Sequence, residues 1–233
     1  MERIDKIVST KMCISRTDAR RLIKIGQVLL NGQRIKSTNA KADETDEITI
    51  NGEKITYNKN VYIMMNKPSG VVCDDKDSAP YAPTVLDDSL KQKDLFCVGR
   101  LDKDTTGLLI ITNDGEFSHN VISPKKHIQK RYRATLESPV TDENIAKAKS
   151  GLTLKDGTKL LPAEIEIISD DRKTVDFVIS EGKYHQIKRM AGAMNNKVLT
   201  LKRISIGKLV LDNSLEVGNA RILSNKELEN IFL

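Results

Sequence analysis

Two Asn-Gly pairs, Asn31-Gly32 and Asn51-Gly52, constrain this chain more tightly than any other local feature. One joins Val28-Leu29-Leu30 to Gln33-Arg34-Ile35, and the other joins Ile48-Thr49-Ile50 to Glu53-Lys54-Ile55. Asn and Gly tolerate positive φ best, and a type I′ turn needs it at both central residues. The spacing therefore predicts two tight antiparallel hairpins near the front of the chain.

Ahead of the hairpins, Ile4, Ile7 and Val8 repeat at helical spacing and predict a first short helix. Ser15 followed by Asp18 is a capping-box variant that opens a second helix, with Ala19, Leu22 and Ile23 inward and Gly26 as its stop. Arg16, Arg20 and Lys24 fall at i, i+4 and i+8, forming one outward stripe. Like charges stacked this way repel, so something besides helix stability must keep them there, and a passing phosphate backbone would suffice. Residues 1–36 hold nine Lys and Arg against three acids, an excess equal to the net +6 of the whole chain. A local basic field attracts polyanions, of which nucleic acid is the commonest, although a charge run is more often only a solvated helix face.

Two short helices, the basic stripe and the Gly26 to Gly32 stretch with Val28 and Asn31 resemble the S4 RNA-binding domain over roughly residues 1–58. The resemblance implies docking on structured RNA through Arg16, Arg20 and Lys24. Aromatic residues are scarce here, so shape and phosphate contacts are expected rather than base stacking.

The bulk features narrow the remaining classes. No apolar run approaches the roughly 20 residues that cross a bilayer. The N-terminus lacks the apolar core of a signal peptide. Cys13, Cys73 and Cys97 are odd in number, with no C-x-x-C pair, which argues against a disulfide framework or a zinc site and for the reducing cytoplasm. His119, His127 and His185 lack metal-ligand spacing, and His185 reads as structural or RNA-facing. Lys125-Lys126-His127 reads as a cationic loop, by phosphate contact or as plain surface. No metal or other cofactor is expected, and no exposed apolar repeat argues against a monomer.

Polar residues from Tyr57 to Asn60 predict a linker, dividing residues 1–58 from a larger domain at 59–233. In the larger domain, short apolar runs alternate with turns: Val61–Met65, Leu108–Ile111, Ala163–Ile168, Thr174–Ile179 and Val198–Ile206. Helical stretches are expected at Phe117–Ser123, Thr141–Lys149 and His185–Met194. Without regular strand–helix alternation, this predicts an α+β domain with a largely antiparallel sheet.

The informative loop runs from Gly99 through Arg100, Asp102 and Asp104 to Gly107, directly before the apolar strand at Leu108. A solvated turn is one reading of its acids. A calcium loop is another, but its twelfth position is Asn113 rather than Glu and its flanks read as strands. The third is catalysis, with Asp102 as nucleophile or base beside Arg100.

The run from Gly99 to Gly115 is very similar to the signature motif of the pseudouridine synthases, and most of all to the branch acting on small-subunit (16S) ribosomal RNA. Asn66-Lys67-Pro68-Ser69-Gly70 matches the family's first motif, Lys130-Arg131-Tyr132 its tyrosine segment, and Glu181 to Met190 the motif bearing a cation. The resemblance spans essentially the whole chain. It implies Asp102 as catalytic aspartate, Lys188 as its paired cation through a point contact, and Tyr132 stacked on the target uracil. Arg100 would then touch the flipped nucleotide or its phosphate, and Ile187 and Leu108 would wall the base pocket or serve the core. A cation beside Asp102 would keep the carboxylate ionised against the effect of burial. Uridine and pseudouridine are isomers, so the reaction needs no redox equivalent, and the buried base must be extruded from its stack. The alternatives are the same chemistry on 23S ribosomal RNA or tRNA, and a non-catalytic RNA-binding ribosome-assembly factor. Asp104 and the continuation to Gly115 favour the small-subunit branch, as does an end at Leu233 without a long basic tail.

Overall fold

A computed structural model describes residues 1–55, 60–74 and 80–233. The linker expected at Tyr57–Asn60 and the boundary after residue 58 fall almost wholly outside the described residues. The chain divides into two compact units. The first is Met1–Val61 with Asp88–Leu95, and the second is Tyr62–Asp87 with Phe96–Leu233. The Asp88–Leu95 segment groups with the first unit although it lies within the span expected for the larger domain; its Lys93 N–H donates to the Thr10 carbonyl at 3.4 Å.

In the first unit, strand β1 (Glu2–Arg3) precedes helices α1 (Ile4–Lys11) and α2 (Arg16–Lys24). The Ser15 hydroxyl caps α2 by accepting from the Asp18 N–H at 3.1 Å. Strands β2 (Val28–Leu30) and β3 (Gln33–Arg34) form one hairpin, β4 (Lys41–Ala42) pairs with β1, and β5 (Ile48–Ile50) with β6 (Glu53–Ile55) forms the other. Both Asn-Gly turns have the expected positive φ, 50° and 74° at Asn31-Gly32 and 54° and 86° at Asn51-Gly52. β2 and β5 pair in the middle, giving the order β3-β2-β5-β6. Ile4, Ile7, Val8, Ala19, Ile23, Val28, Ile48 and Ile50 are buried together beneath this sheet. Each large aliphatic in such a core stabilises the fold by about 1.5–3 kcal/mol.

The second unit is built on one mixed sheet. Its strands are β7 (Tyr62–Lys67), β8 (Phe96–Cys97), β9 (Thr106–Thr112), β10 (Lys130–Leu136), β11 (Glu164–Ile167), β12 (Thr174–Ile179), β13 (Val198–Ile206), β14 (Leu209–Val210) and β15 (Ala220–Ile222). The main path is β11-β12-β10-β13-β9-β7-β15, with β14 on β13 and β8 on β9. All these pairs are antiparallel except β13 with β9, so the α+β, mainly antiparallel expectation holds.

The helices are α3 (Gly115–Ile122), α4 (Asp142–Ser150), α5 (Gln186–Ala193) and α6 (Asn225–Glu229). Side chains cap three of them: Asp114 for α3, Thr141 for α4 and Ser224 for α6. Among the described residues no helix is long and apolar enough to cross a membrane.

The parallel β9–β13 contact brings two backbones unusually close. Gly107 sits opposite Arg203 with φ of 97°, and a Cβ there would overlap the Arg203 carbonyl. Only glycine meets both demands. The chain just before it, residues 101–105, is thereby held against the middle of the sheet.

Candidate active site

Asp102 sits in the turn that leads into β9. Its carbonyl accepts from the Thr105 N–H at 3.0 Å, closing the turn. The Lys103 carbonyl accepts from the Gly70 N–H at 2.8 Å, and the Leu101 N–H donates to Cys73 Sγ at 3.3 Å. Lys67 locks the same loop from below. Fully buried, its ammonium donates to the Val71, Pro68 and Lys103 carbonyls at 2.7, 2.9 and 3.3 Å. Burial pushes the Lys67 pKa down, partly opposed by Cys73, Asp104 and Asp102 nearby. The Asn66–Gly70 segment thus acts as a clamp under the Asp102 turn, a role its sequence alone did not reveal.

Helix α5 brings the cation. Glu181 accepts from the Leu161 N–H at 3.0 Å and from Gln186 Nε2 at 2.9 Å, and Gln186 Oε1 accepts from the Lys183 N–H at 2.9 Å. These bonds fix the start of α5, so that Lys188 in its first turn reaches Asp102 Oδ2 at 2.9 Å. The contact is a single point, as a lysine permits. Lys188 also lies 2.6 Å from Asp104 Oδ1. Burial alone would lower the Lys188 pKa, but Asp104 and Asp102 outweigh it and hold the ammonium above its ordinary value. Lys188 in turn holds Asp104 below the usual carboxylate range.

Two partners in this cluster were not anticipated. Asp104, read as a loop acid and a marker of branch, shares Lys188. His185, read as structural or RNA-facing, places Nε2 3.5 Å from Asp102 Oδ1. It adopts a left-handed backbone (φ 47°) and stacks on the exposed Tyr184 ring at 3.8 Å. That turn aims the imidazole back at the aspartate.

Tyr132 belongs to β10, where Tyr132, Ala134 and Leu136 face inward. Its ring shares a cleft of about 420 Å³ with Arg100, Asp102, Ile179, Ile187 and Leu201. Behind it stands Arg203 of β13, its cross-strand partner. Arg203 donates from Nε to the Leu108 carbonyl at 2.8 Å and from Nη1 to the Tyr132 hydroxyl at 3.4 Å. This buried arginine was missed. Its one visible signal is its place two residues after Leu201 in the run Val198–Ile206, where strand alternation puts both on one face. Arg100 lines the cleft mouth and is ion-paired with Asp74. Of the two aliphatics expected at the base pocket, Ile187 lines the cleft, while Leu108 lies wholly in the core.

In the first unit, the arginines of the α2 stripe have a structural partner. Arg16 Nη2 and Arg20 Nε bind the fully buried Asp5 of α1 at 2.6 and 2.9 Å, joined by Arg3. The repulsion between Arg16 and Arg20 is therefore answered inside the fold by Asp5, a second sufficient reason beside the phosphate backbone that the sequence suggested. Burial would raise Asp5, but the three arginines prevail and hold it far below the usual range. Arg16 and Arg20 remain about half exposed, and Lys24 is exposed, lining a shallow groove with Arg34 and Lys36.

Comparison with known proteins gives the family. Residues 61–193 match the family described as RNA pseudouridylate synthase, and residues 2–48 match the S4 domain. An RNA pseudouridine synthase of Bacillus subtilis, itself described as uncharacterized, is 39% identical over 97% of this chain and 96% of its own length. The ribosomal small subunit pseudouridine synthase A of Vibrio cholerae is 41% identical over 99% of each chain. A crystal structure of a pseudouridylate synthase, 39% identical, superposes with a TM-score of 0.69 over 99% of this chain and all of that one. The chain belongs to the RNA pseudouridine synthase family, carries an S4 domain ahead of its catalytic region, and is an isomerase of RNA uridine to pseudouridine.

Proposed function

We propose that this enzyme isomerises a uridine of small-subunit (16S) ribosomal RNA, with Asp102 as the catalytic carboxylate. The observation that carries the assignment is the Asp102 side chain itself: 26% exposed at the floor of a cleft, held on one oxygen by Lys188, and facing the same space as the Tyr132 ring. The ribosomal small subunit synthases that match over nearly the full length of both chains support the choice of RNA.

The reaction breaks the N1–C1′ bond, turns the base and joins C5 to C1′. A proton leaves C5 and N1 ends protonated, so atoms balance without any co-reactant. The target base leaves its stack and enters the cleft, where Tyr132 covers one face and Ile187 and Leu201 offer apolar wall. Asp102 acts on the sugar or the base from below. Lys188 keeps that carboxylate aimed through its 2.9 Å contact, and Arg100 meets the nucleotide at the mouth. The first unit holds the RNA through the exposed arms of Arg16 and Arg20 and through Lys24.

The test is to incubate the protein with unmodified 16S, 23S and transfer RNA and map new pseudouridine in each. Modification confined to one position of 16S RNA is the expected result. Modification only of 23S RNA or tRNA would reassign the substrate, and binding without any modification would favour an assembly factor.

A further inference from the structure

Lys130 and Arg203 lie on the same face of the sheet as Tyr132, and among the described residues neither is held in an ion pair. Arg203 is 4% exposed, and with Nε and Nη1 engaged its Nη2 is buried without any hydrogen-bond partner. Among the described residues no carboxylate lies within ion-pair distance of Arg203 or of Lys130. Burial lowers the Lys130 pKa, and the Arg203 charge lowers it further. Both line a second cleft of about 630 Å³, which also takes in Arg100 and the Tyr132 ring. The acid on its wall, Glu181, is committed: one oxygen accepts from Leu161 and Gln186, and the other lies 3.3 Å from Lys183.

A buried donor without an acceptor destabilises a fold, and so does an uncompensated buried charge. One such cation, with the half-buried Lys130 beside it at the wall of an open cleft, calls for compensation from outside the chain. A neutral base carbonyl would satisfy one donor but leave both charges standing. We propose that this cleft is a phosphate subsite, in which Lys130 and Arg203 Nη2 hold the oxygens of a phosphodiester next to the target nucleotide. The proposal rests on RNA being the substrate. It assigns these residues to positioning the strand, so that the flipped base meets Asp102 in the cleft that shares Tyr132.

The test compares full-length wild type with Lys130→Met and Lys130→Arg on the same RNA. Lys130→Met is expected to raise KM about tenfold, the loss of one charge-assisted contact, with a smaller change in kcat. The slope of log binding constant against log salt should fall by about one phosphate. Lys130→Arg should restore both. The melting temperature of Lys130→Met should stay level or rise, since an unpaired ammonium is removed. RNA carrying a neutral methylphosphonate at the contacted linkage should cost wild type the same tenfold and cost Lys130→Met nothing more.

An active wild type matched by Lys130→Met in KM and salt slope would overturn the subsite while leaving the isomerase reading intact. A lowered melting temperature with an unchanged slope would mark a structural lysine and also overturn it. Inorganic phosphate that stabilises wild type but not Lys130→Met, with no methylphosphonate effect within a few linkages of the target, would show a site for free anion and overturn the RNA assignment.

Discussion

Asp5 accepts four hydrogen bonds from three arginines and is fully buried, whereas Asp102 touches one lysine and one histidine and keeps about a quarter of its side chain exposed. Both are aspartates gripped by cations, but the remaining valence differs. A carboxylate offers about four lone-pair directions, and at Asp5 all four are taken. At Asp102 only Oδ2 has a close donor, and Oδ1 stands 3.5 Å from an imidazole. The first arrangement ties α1 to α2 and can do nothing else. The second leaves an oriented carboxyl oxygen pointing into a cleft. Saturation marks structure here, and incomplete saturation in a rigid setting marks chemistry.

Substitutions at the two aspartates should therefore fail in different ways. The largest expected effect is Asp102→Asn, which should lower turnover by about 10⁴-fold or more, because a neutral amide can neither attack nor accept a proton. RNA affinity and melting temperature should hardly move, and an equilibrium binding titration beside the rate measurement separates the two.

Asp5→Asn should do the reverse. Stripping the charge from a buried site that three arginines converge on should destabilise the first unit by about 3 kcal/mol, read by thermal or urea unfolding, while the chemical step survives in whatever remains folded. The sign with pH follows. Because the folded-state pKa of Asp5 is depressed, its contribution is fully present above the ordinary carboxylate pKa near 4 and fades as pH falls below it. An acid titration of wild type that loses no more stability than Asp5→Asn over that range would break the comparison.

Lys188→Met comes next. Losing the cation that aims Asp102 should cost about 100-fold in kcat with KM little changed, and Lys188→Arg should recover part of it. Lys24→Ala is the smallest. With Arg16 and Arg20 already engaged by Asp5, Lys24 is the uncommitted member of the stripe, and its loss should reduce the salt slope of RNA binding by about one phosphate. A larger loss at Lys24 than from removing residues 1–58 altogether would contradict this placement of the RNA surface.

What could be read from the sequence was local or strongly patterned. The Asn-Gly turns, the Ser15 cap and the core positions of α1 and α2 need only neighbouring residues, and the structure has them all. The Asp102–Lys188 pair spans the chain but sits in long motifs. Contacts made by strand register were invisible. Arg203 meets Tyr132 only because β10 pairs with β13 across a bulge between Arg131 and Tyr132. Strand β10 itself went unremarked, since Lys130 and the outward arginines obscure its alternation. Asp5 read as one acid among basic residues, because the packing of α1 on α2 that brings Arg16 and Arg20 to it cannot be inferred from their spacing. Lys67 stood in the sequence only as part of the Asn66–Gly70 motif, and one of its three carbonyl acceptors, Lys103, comes from the distant Asp102 turn.

The most direct test of the account is tritium release from 5-tritiated uridine in unmodified small-subunit ribosomal RNA, with wild type and Asp102→Asn at equal RNA occupancy. Release by wild type that vanishes in a folded, RNA-bound Asp102→Asn is the predicted result. Release that persists at a comparable rate in that variant would contradict the central claim, because the reaction would then run without the open carboxylate.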